Sequence, residues 1–269
     1  MNAGCHGGVA RAWPPNAPRC PATIRARNPW AAPYTRAVTD PVPPAARGRF
    51  ITIEGPEGAG KTTQAARLEA TLRDRGIPVR GTREPGGTAL GERIRALLLA
   101  PSATPIDPLA DALLFNAARR QLVEEVIEPS LVAGTTVICA RFADSTRAYQ
   151  GYGGGLPLAE LEALEEIATD GLQPDLTLLL DLPVEIGLGR KAPDDRTRFE
   201  TGFDLAFHRR VRNGFLAMAV AEPGRFVVVD ATAHADAVAE RIARAVGHLF
   251  VDDRSAAGEP NRHAVRIHP

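Results

Sequence analysis

Lysine is nearly missing from this chain. Only Lys61 and Lys191 occur among 269 residues, against 30 arginines. Arginine dominance is what a GC-rich genome produces and names no function, but it makes each surviving lysine a position to question. Cysteine is scarce too. Cys5, Cys20 and Cys139 stand far apart, with neither a disulfide framework nor a zinc spacing, so the expected compartment is a reducing one, the cytoplasm. Net charge is absent: 32 basic residues balance 32 acidic ones, which argues against a dedicated nucleic-acid binder or a membrane-surface protein. No run of 18 apolar residues exists, so no membrane-spanning helix is predicted.

Hydrophobic residues make up 44% and charged residues 24%, ordinary values for a globular chain. The length is enough to bury a core without staples. Residues 1–48 differ from the rest. They hold nine of the 23 prolines, both tryptophans (Trp13 and Trp30) and a single acid, Asp40. No helical or strand period runs through them, so a disordered extension is expected. A targeting peptide and a start codon placed too early are the other readings. Residues 251–269 read as a flexible tail. One domain over residues 49–250 remains.

Within that span short apolar runs alternate with helical periods. Strands are predicted at Phe50–Ile53, Val79–Thr82, Thr135–Cys139, Leu176–Leu182 and Phe226–Val229. Helices are predicted over 62–75, 90–99, 109–131, 158–168, 203–220 and 235–249. Strands separated by helices imply an α/β fold, a mostly parallel five-stranded sheet covered on both faces.

The segment Gly55-Pro56-Glu57-Gly58-Ala59-Gly60-Lys61-Thr62 matches the phosphate-loop pattern at every fixed position, between a strand and a helix. Glycines let backbone N–H groups turn inward around phosphate oxygens, and the helix N-terminus adds favourable partial charge. Lys61 can reach the β- and γ-phosphates, and the Thr62 hydroxyl can ligate Mg²⁺. This loop alone does not choose among GTPases, ATPases and small-molecule kinases.

Four further segments bear on that choice. Arg83 opens Arg-Glu-Pro-Gly-Gly after the second strand, where an arginine can fork onto a phosphate; taken alone it would be a surface ion-pair residue. Phe115 and Arg119 share a helix face, a stacking plane beside a donor, although Phe115 by itself would more often be core. The stretch from Arg141 through Ser145, Thr146, Tyr149 and Gln150 reads as a polar loop lining a sugar-and-base pocket. Residues 190–198 hold four cations, Arg190, Lys191, Arg196 and Arg198, broken by Pro193; a mobile basic lid fits that pattern, and a solvated charge run is the plainer reading.

Together Phe50-Ile-Thr-Ile-Glu-Gly-Pro-Glu-Gly-Ala-Gly-Lys-Thr-Thr-Gln64, Thr82-Arg-Glu-Pro-Gly-Gly-Thr88, Leu113-Leu-Phe-Asn-Ala-Ala-Arg119 and Ala148-Tyr-Gln-Gly151 resemble the bacterial thymidylate kinases. The resemblance implies a P-loop kinase fold with a mobile lid and transfer of the ATP γ-phosphoryl to dTMP, with Mg²⁺. It also implies a homodimer, with no nucleic acid or membrane as partner. By that resemblance Gly55 to Thr63 hold ATP, and Glu57 contacts the acceptor 3′-hydroxyl. Arg83 and Arg141 hold the dTMP phosphate, Phe115 stacks on thymine and Arg119 bonds a thymine carbonyl. Ser145, Thr146 and Gln150 join them, and Tyr149 disfavours a ribose 2′-hydroxyl. Lys61, Arg141 and the lid arginines Arg190, Arg196 and Arg198 are the catalytic candidates. One position departs: the family pattern Asp-Arg-Phe/Tyr/His is here Ala140-Arg141-Phe142, which puts the rate in question. A deoxynucleoside kinase is the alternative enzyme, opposed by the Arg83 and Arg141 pair. A nucleotide-binding module with little turnover is the alternative outside catalysis.

Overall fold

The computed structural model describes residues 47–100, 106–192 and 197–250. The expected N-terminal extension (except its last two residues, Arg47 and Gly48) and the C-terminal tail lie outside the described residues, as does Arg196.

All the predicted strands form: β1 (Phe50–Glu54), β2 (Val79–Arg83), β3 (Thr136–Ala140), β4 (Leu176–Asp181) and β5 (Phe226–Asp230). They make one sheet in the order β2-β3-β1-β4-β5, with every pairing parallel. The sequence runs explain the order of burial. Central β1 and β3 are buried at every position, whereas β2, with Arg80, Gly81 and Thr82, is a half-exposed edge.

Helices cover both faces. On one side α1 (Lys61–Asp74) and α10 (Ala235–Val246) pack Leu68, Leu72, Val238 and Ile242 against Ile51, Ile53, Ile138 and Leu178. On the other, Phe50, Val137 and Cys139 meet Leu122, Ile127 and Leu131, and Leu179 and Phe226 meet α9 (Leu205–Ala221). Each such fully buried aliphatic or aromatic side chain contributes about 1.5–3 kcal/mol.

The remaining helices are α2 (Ala89–Leu99), α3 (Pro108–Leu122), α4 (Glu128–Val132), α5 (Ala143–Thr146), α6 (Leu158–Thr169), α7 (Val184–Gly189) and α8 (Arg198–Thr201). The single helix expected over 109–131 is interrupted. Residues Val123–Ile127 form a wider π-helical turn between α3 and α4. Pro129 lacks the N–H that a regular turn would use, and the widened turn absorbs the mismatch. Asp107 caps α3 through Leu109 N and Ala110 N, with Pro108 as the first helical residue. The stretch expected as a polar loop after β3 is helical, α5 running into a π-helical segment Arg147–Gly153. The helix expected from Phe203 starts at Leu205, because the Asp204 carboxylate caps Phe207 N.

Candidate active site

The phosphate loop leaves central β1 at Gly55 and enters α1 at Lys61. Gly55, Gly58 and Gly60 have φ of 141°, 70° and 89°. A Cβ on Gly58 would sit 1.8 Å from Gly187 O, so the loop is closed to any side chain there. No acid occupies the first turn of α1, where an anion is favoured. Pro56 and Ala59 are buried in the loop, while Thr62 and Thr63 are exposed. Lys61 Nζ donates to Gly55 O (2.8 Å) and Pro56 O (2.6 Å). Burial, then the nearby Arg141, push its pKa down to about 7, against the pull of Glu57 and Glu54.

A cavity opens beside the loop. Its wall carries Glu57, Phe115, Arg119, Arg141, Ser145, Thr146, Tyr149 and Gln150, all named above. Glu57 belongs to both places, since it is a phosphate-loop residue whose carboxylate faces the cavity. Arg141 Nη2 donates to Glu57 Oε1 (2.7 Å) and to Tyr149 Oη (3.2 Å), Nη1 donates to Ser145 Oγ (3.1 Å), and Tyr149 Oη donates to Glu57 Oε1 (2.8 Å). Burial alone would raise the Glu57 pKa; Arg141, Lys61, Lys191 and the Tyr149 hydroxyl outweigh it and hold the carboxyl well below its ordinary range. Arg141 sits at φ 71°, in the left-handed region, and its side chain reaches Glu57 of the phosphate loop.

Two buried carboxylates shape this wall. Glu54 Oε1 accepts from Phe142 N and Oε2 from Ser145 Oγ, both at 2.6 Å. Burial first, then Asp144, push its pKa up to about 7. Glu84 holds Arg119 through Nε and Nη2 at 2.8–3.2 Å, and Arg119 also donates to Asn116 Oδ1, Phe142 O and Thr146 Oγ1. Arg119 is 1% exposed, so most of its donors are engaged within the protein.

The arginine expected from the second strand does not reach the wall. Arg83 is half exposed and forks onto Glu92 at 3.0 Å, the surface ion pair. Arg95 of α2 stands at the cavity instead, with Nη1 donating to Pro85 O (2.9 Å). Burial, then Arg83 and Arg141, lower its pKa. The helical period points to it only once the buried face of α2 is known. Gly91 and Leu98 mark the buried face of α2, and Arg95 falls between them at i+4 and i−3.

The lid arginines also separate. Arg190 ends α7 and donates to Ala231 O and Thr232 O at 3.0 Å. Arg198 begins α8 and donates to Asp111 and Leu98 O. Among the described lid cations, Lys191 is the one on the cavity wall, paired with Glu200 and 3.6 Å from Glu57 Oε2. Its rarity was the sequence signal. Phe199 of α8 closes the aromatic side, with ring centroids 6.2 Å from Phe115 and 5.5 Å from Tyr149. Among the described residues, no cluster of three His, Cys, Asp or Glu side chains could cage a metal. A hard cation carried by nucleotide phosphates and water needs no such cage, and the exposed Thr62 hydroxyl at the start of α1 fits that mode. Of the other acids near strand ends, Asp181 is forked by Arg212 and Asp144 by Arg225.

A parallel sheet of this order, with a phosphate loop leaving its central strand, is the P-loop kinase fold. The thymidylate kinase family model matches residues 53–242. The thymidylate kinase of Deinococcus radiodurans is 54% identical over 200 residues, covering 74% of this chain and 97% of that protein. That of Trichlorobacter lovleyi is 49% identical over 204 residues, covering 73% and 96%. The crystal structure of thymidylate kinase from Ehrlichia chaffeensis superposes with a TM-score of 0.62 at 35% identity, covering 74% of this chain and 99% of that one. The chain belongs to the thymidylate kinase family.

Proposed function

We propose that residues 49–250 transfer the γ-phosphoryl group of ATP to dTMP, giving dTDP and ADP. One observation carries the reading: Glu57 of the phosphate loop is also a wall of the neighbouring cavity, where Arg141 binds it at 2.7 Å, so donor and acceptor sites adjoin. An oxygen of the acceptor 5′-phosphate attacks the γ-phosphorus, and the bond to the β–γ bridging oxygen breaks. Lys61 exchanges its two carbonyl partners for β- and γ-phosphate oxygens and stabilises the charge that shifts between them. Arg141 and Arg95 hold the acceptor phosphate, a role for which Arg95 replaces Arg83. Lys191 brings lid charge to the transferring group.

The base lies on Phe115. Arg119 Nη1, which donates once to Asn116, keeps a second N–H for a base carbonyl, and the Gln150 amide meets the neighbouring edge. Glu57 accepts the 3′-hydroxyl, Ser145 and Thr146 support the wall, and Tyr149 fills the space a 2′-hydroxyl would need. The donor phosphates lie on Gly55 to Thr63. Thr62 would hold Mg²⁺, which would neutralise phosphate charge.

We also assign the enzyme to the cytoplasm as a homodimer. Among the described residues no helix is long and apolar enough to cross a membrane. Leu90 and Leu97 on α2, Leu113 on α3 and Ile167 on α6 are exposed, which suits pairing through these helices. A coupled ADP-release assay with dTMP, dUMP, UMP, CMP and thymidine tests the activity. Turnover should be highest with dTMP and absent with thymidine, which brings no phosphate to Arg95 and Arg141. Equal turnover with thymidine would make this a nucleoside kinase.

A further inference from the structure

Asp111, Phe115 and Arg119 recur at every fourth residue of α3 and so share one face. Phe115 and Arg119 line the cavity; Asp111 stands one turn before them, just behind the wall, and is 6% exposed. Its two carboxylate oxygens hold different things. Oδ2 accepts from Gln150 Nε2 at 3.0 Å, and Oδ1 accepts from Arg198 Nη2 of the lid helix.

An amide side chain is nearly symmetric in shape and opposite in chemistry at its two ends. A carboxylate only accepts, so Asp111 draws the NH₂ end of Gln150 toward itself. The carbonyl end, Oε1, is then left for the cavity, and no protein donor reaches it among the described residues. We propose that Asp111 is a specificity-determining positioning residue: it sets the orientation of the Gln150 amide, so that the cavity offers an acceptor to the N3–H of a thymine-like base and rejects a base whose N3 is itself an acceptor. The proposal rests on the pyrimidine monophosphate reading above. The same carboxylate ties this edge to the lid through Arg198, so the orientation is held where α8 closes.

The pair dTMP and 5-methyl-dCMP isolates the effect, because both carry the 5-methyl group and differ only at N3 and position 4. In Asp111→Asn, Arg198 claims the side-chain oxygen and the new NH₂ faces Gln150, whose amide then turns over. The ratio of kcat/KM for dTMP to that for 5-methyl-dCMP should fall by about tenfold or more, with the KM for ATP unchanged within about twofold. Asp111→Ala, which leaves nothing to steer the amide, should also lower the ratio and serves if the asparagine variant does not fold. Arg198→Gln keeps the carboxylate, so its ratio should stay within about threefold of the parent even where its rate drops. A ratio within about threefold of the parent in the Asp111 variants overturns the proposal. A ratio that falls as far in Arg198→Gln overturns it as well, since lid closure would then set the preference. A parent enzyme inactive on dTMP overturns the functional reading beneath it, whereas an active parent with unmoved ratios ends this proposal alone.

Discussion

Glu54 closes β1 with a wholly buried carboxylate, and its two hydrogen bonds fix the chain just after Arg141. Burial raises its pKa from 4.5 to about 7. Between those values the folded protein binds more protons than the unfolded chain, so this group makes stability fall as pH rises from about 4.5 to about 7. Glutamine can keep both contacts, accepting from Phe142 N and donating to Ser145 Oγ, without a charge to bury. The urea midpoint of Glu54→Gln should therefore gain on the parent from about pH 5 to about pH 7 and level off above it, and a gap constant from pH 5 to pH 7 would show that Glu54 does not titrate there. Ala140 presents the opposite case, a carboxylate that the family pattern has and this chain lacks. It belongs to the core cluster on the α1 face of the sheet, which also includes Ala59 of the phosphate loop and Ala65 of α1. Outer contacts of this kind are typically worth about 10–100-fold in rate. Ala140→Asp is expected to raise kcat by about tenfold with little change in either KM; an unchanged or lower kcat in the folded variant would make the alanine neutral or preferred.

At the scale of elements, short non-standard turns aim the side chains. The π-helical segment Arg147–Gly153 carries Tyr149 and Gln150 on the cavity wall. Its wider turn shifts residues by a fraction of a turn from where an α-helix would put them. Helix α8 has only four residues and depends on its cap. Thr197 Oγ1 accepts from Phe199 N, and Glu200 Oε2 accepts from Thr197 N (2.6 Å) and Thr197 Oγ1 (2.7 Å). Thr197→Ala should cost about 1 kcal/mol of stability and loosen α8. Because α8 brings Phe199 against Phe115 and Tyr149, the KM for dTMP should rise severalfold while that for ATP holds. Steady-state kinetics with each substrate varied in turn checks this, and equal rises in both KM values would detach α8 from the acceptor.

Across the molecule, the Glu84–Arg119 pair joins the end of β2 to α3 and, through Phe142 O and Thr146 Oγ1, to the segment after β3. Its side chains are 4% and 1% exposed. Removing one partner leaves a buried charge without compensation, which typically costs about 3–5 kcal/mol. Arg119→Met should therefore destabilise the whole domain by that order in urea unfolding. A loss below about 1 kcal/mol would show that water reaches Glu84.

The order of the strands and the long helices, the phosphate loop and the family were legible in the sequence, because each is encoded within a short window: a period of two or 3.6, or glycines at fixed spacing. The face of α3 that lines the cavity was legible for the same reason, with Phe115 and Arg119 four residues apart. What the window cannot encode is the partner of a side chain. Arg83 and Arg95 lie twelve positions apart around one motif, and only the packing of α2 turned Arg95 toward the cavity and left Arg83 to Glu92 at the surface. Likewise Lys191 reaches the wall, while Arg190 turns to the loop after β5 and Arg198 to Asp111. The contacts that decide these roles join residues far apart in the chain: 84 positions for Arg141 and Glu57, 87 for Arg198 and Asp111, 39 for Gln150 and Asp111. Local pattern therefore determined the strands and the long helices, and tertiary packing alone decided which charges meet, because ion pairs and hydrogen bonds depend on distances of a few ångströms between segments.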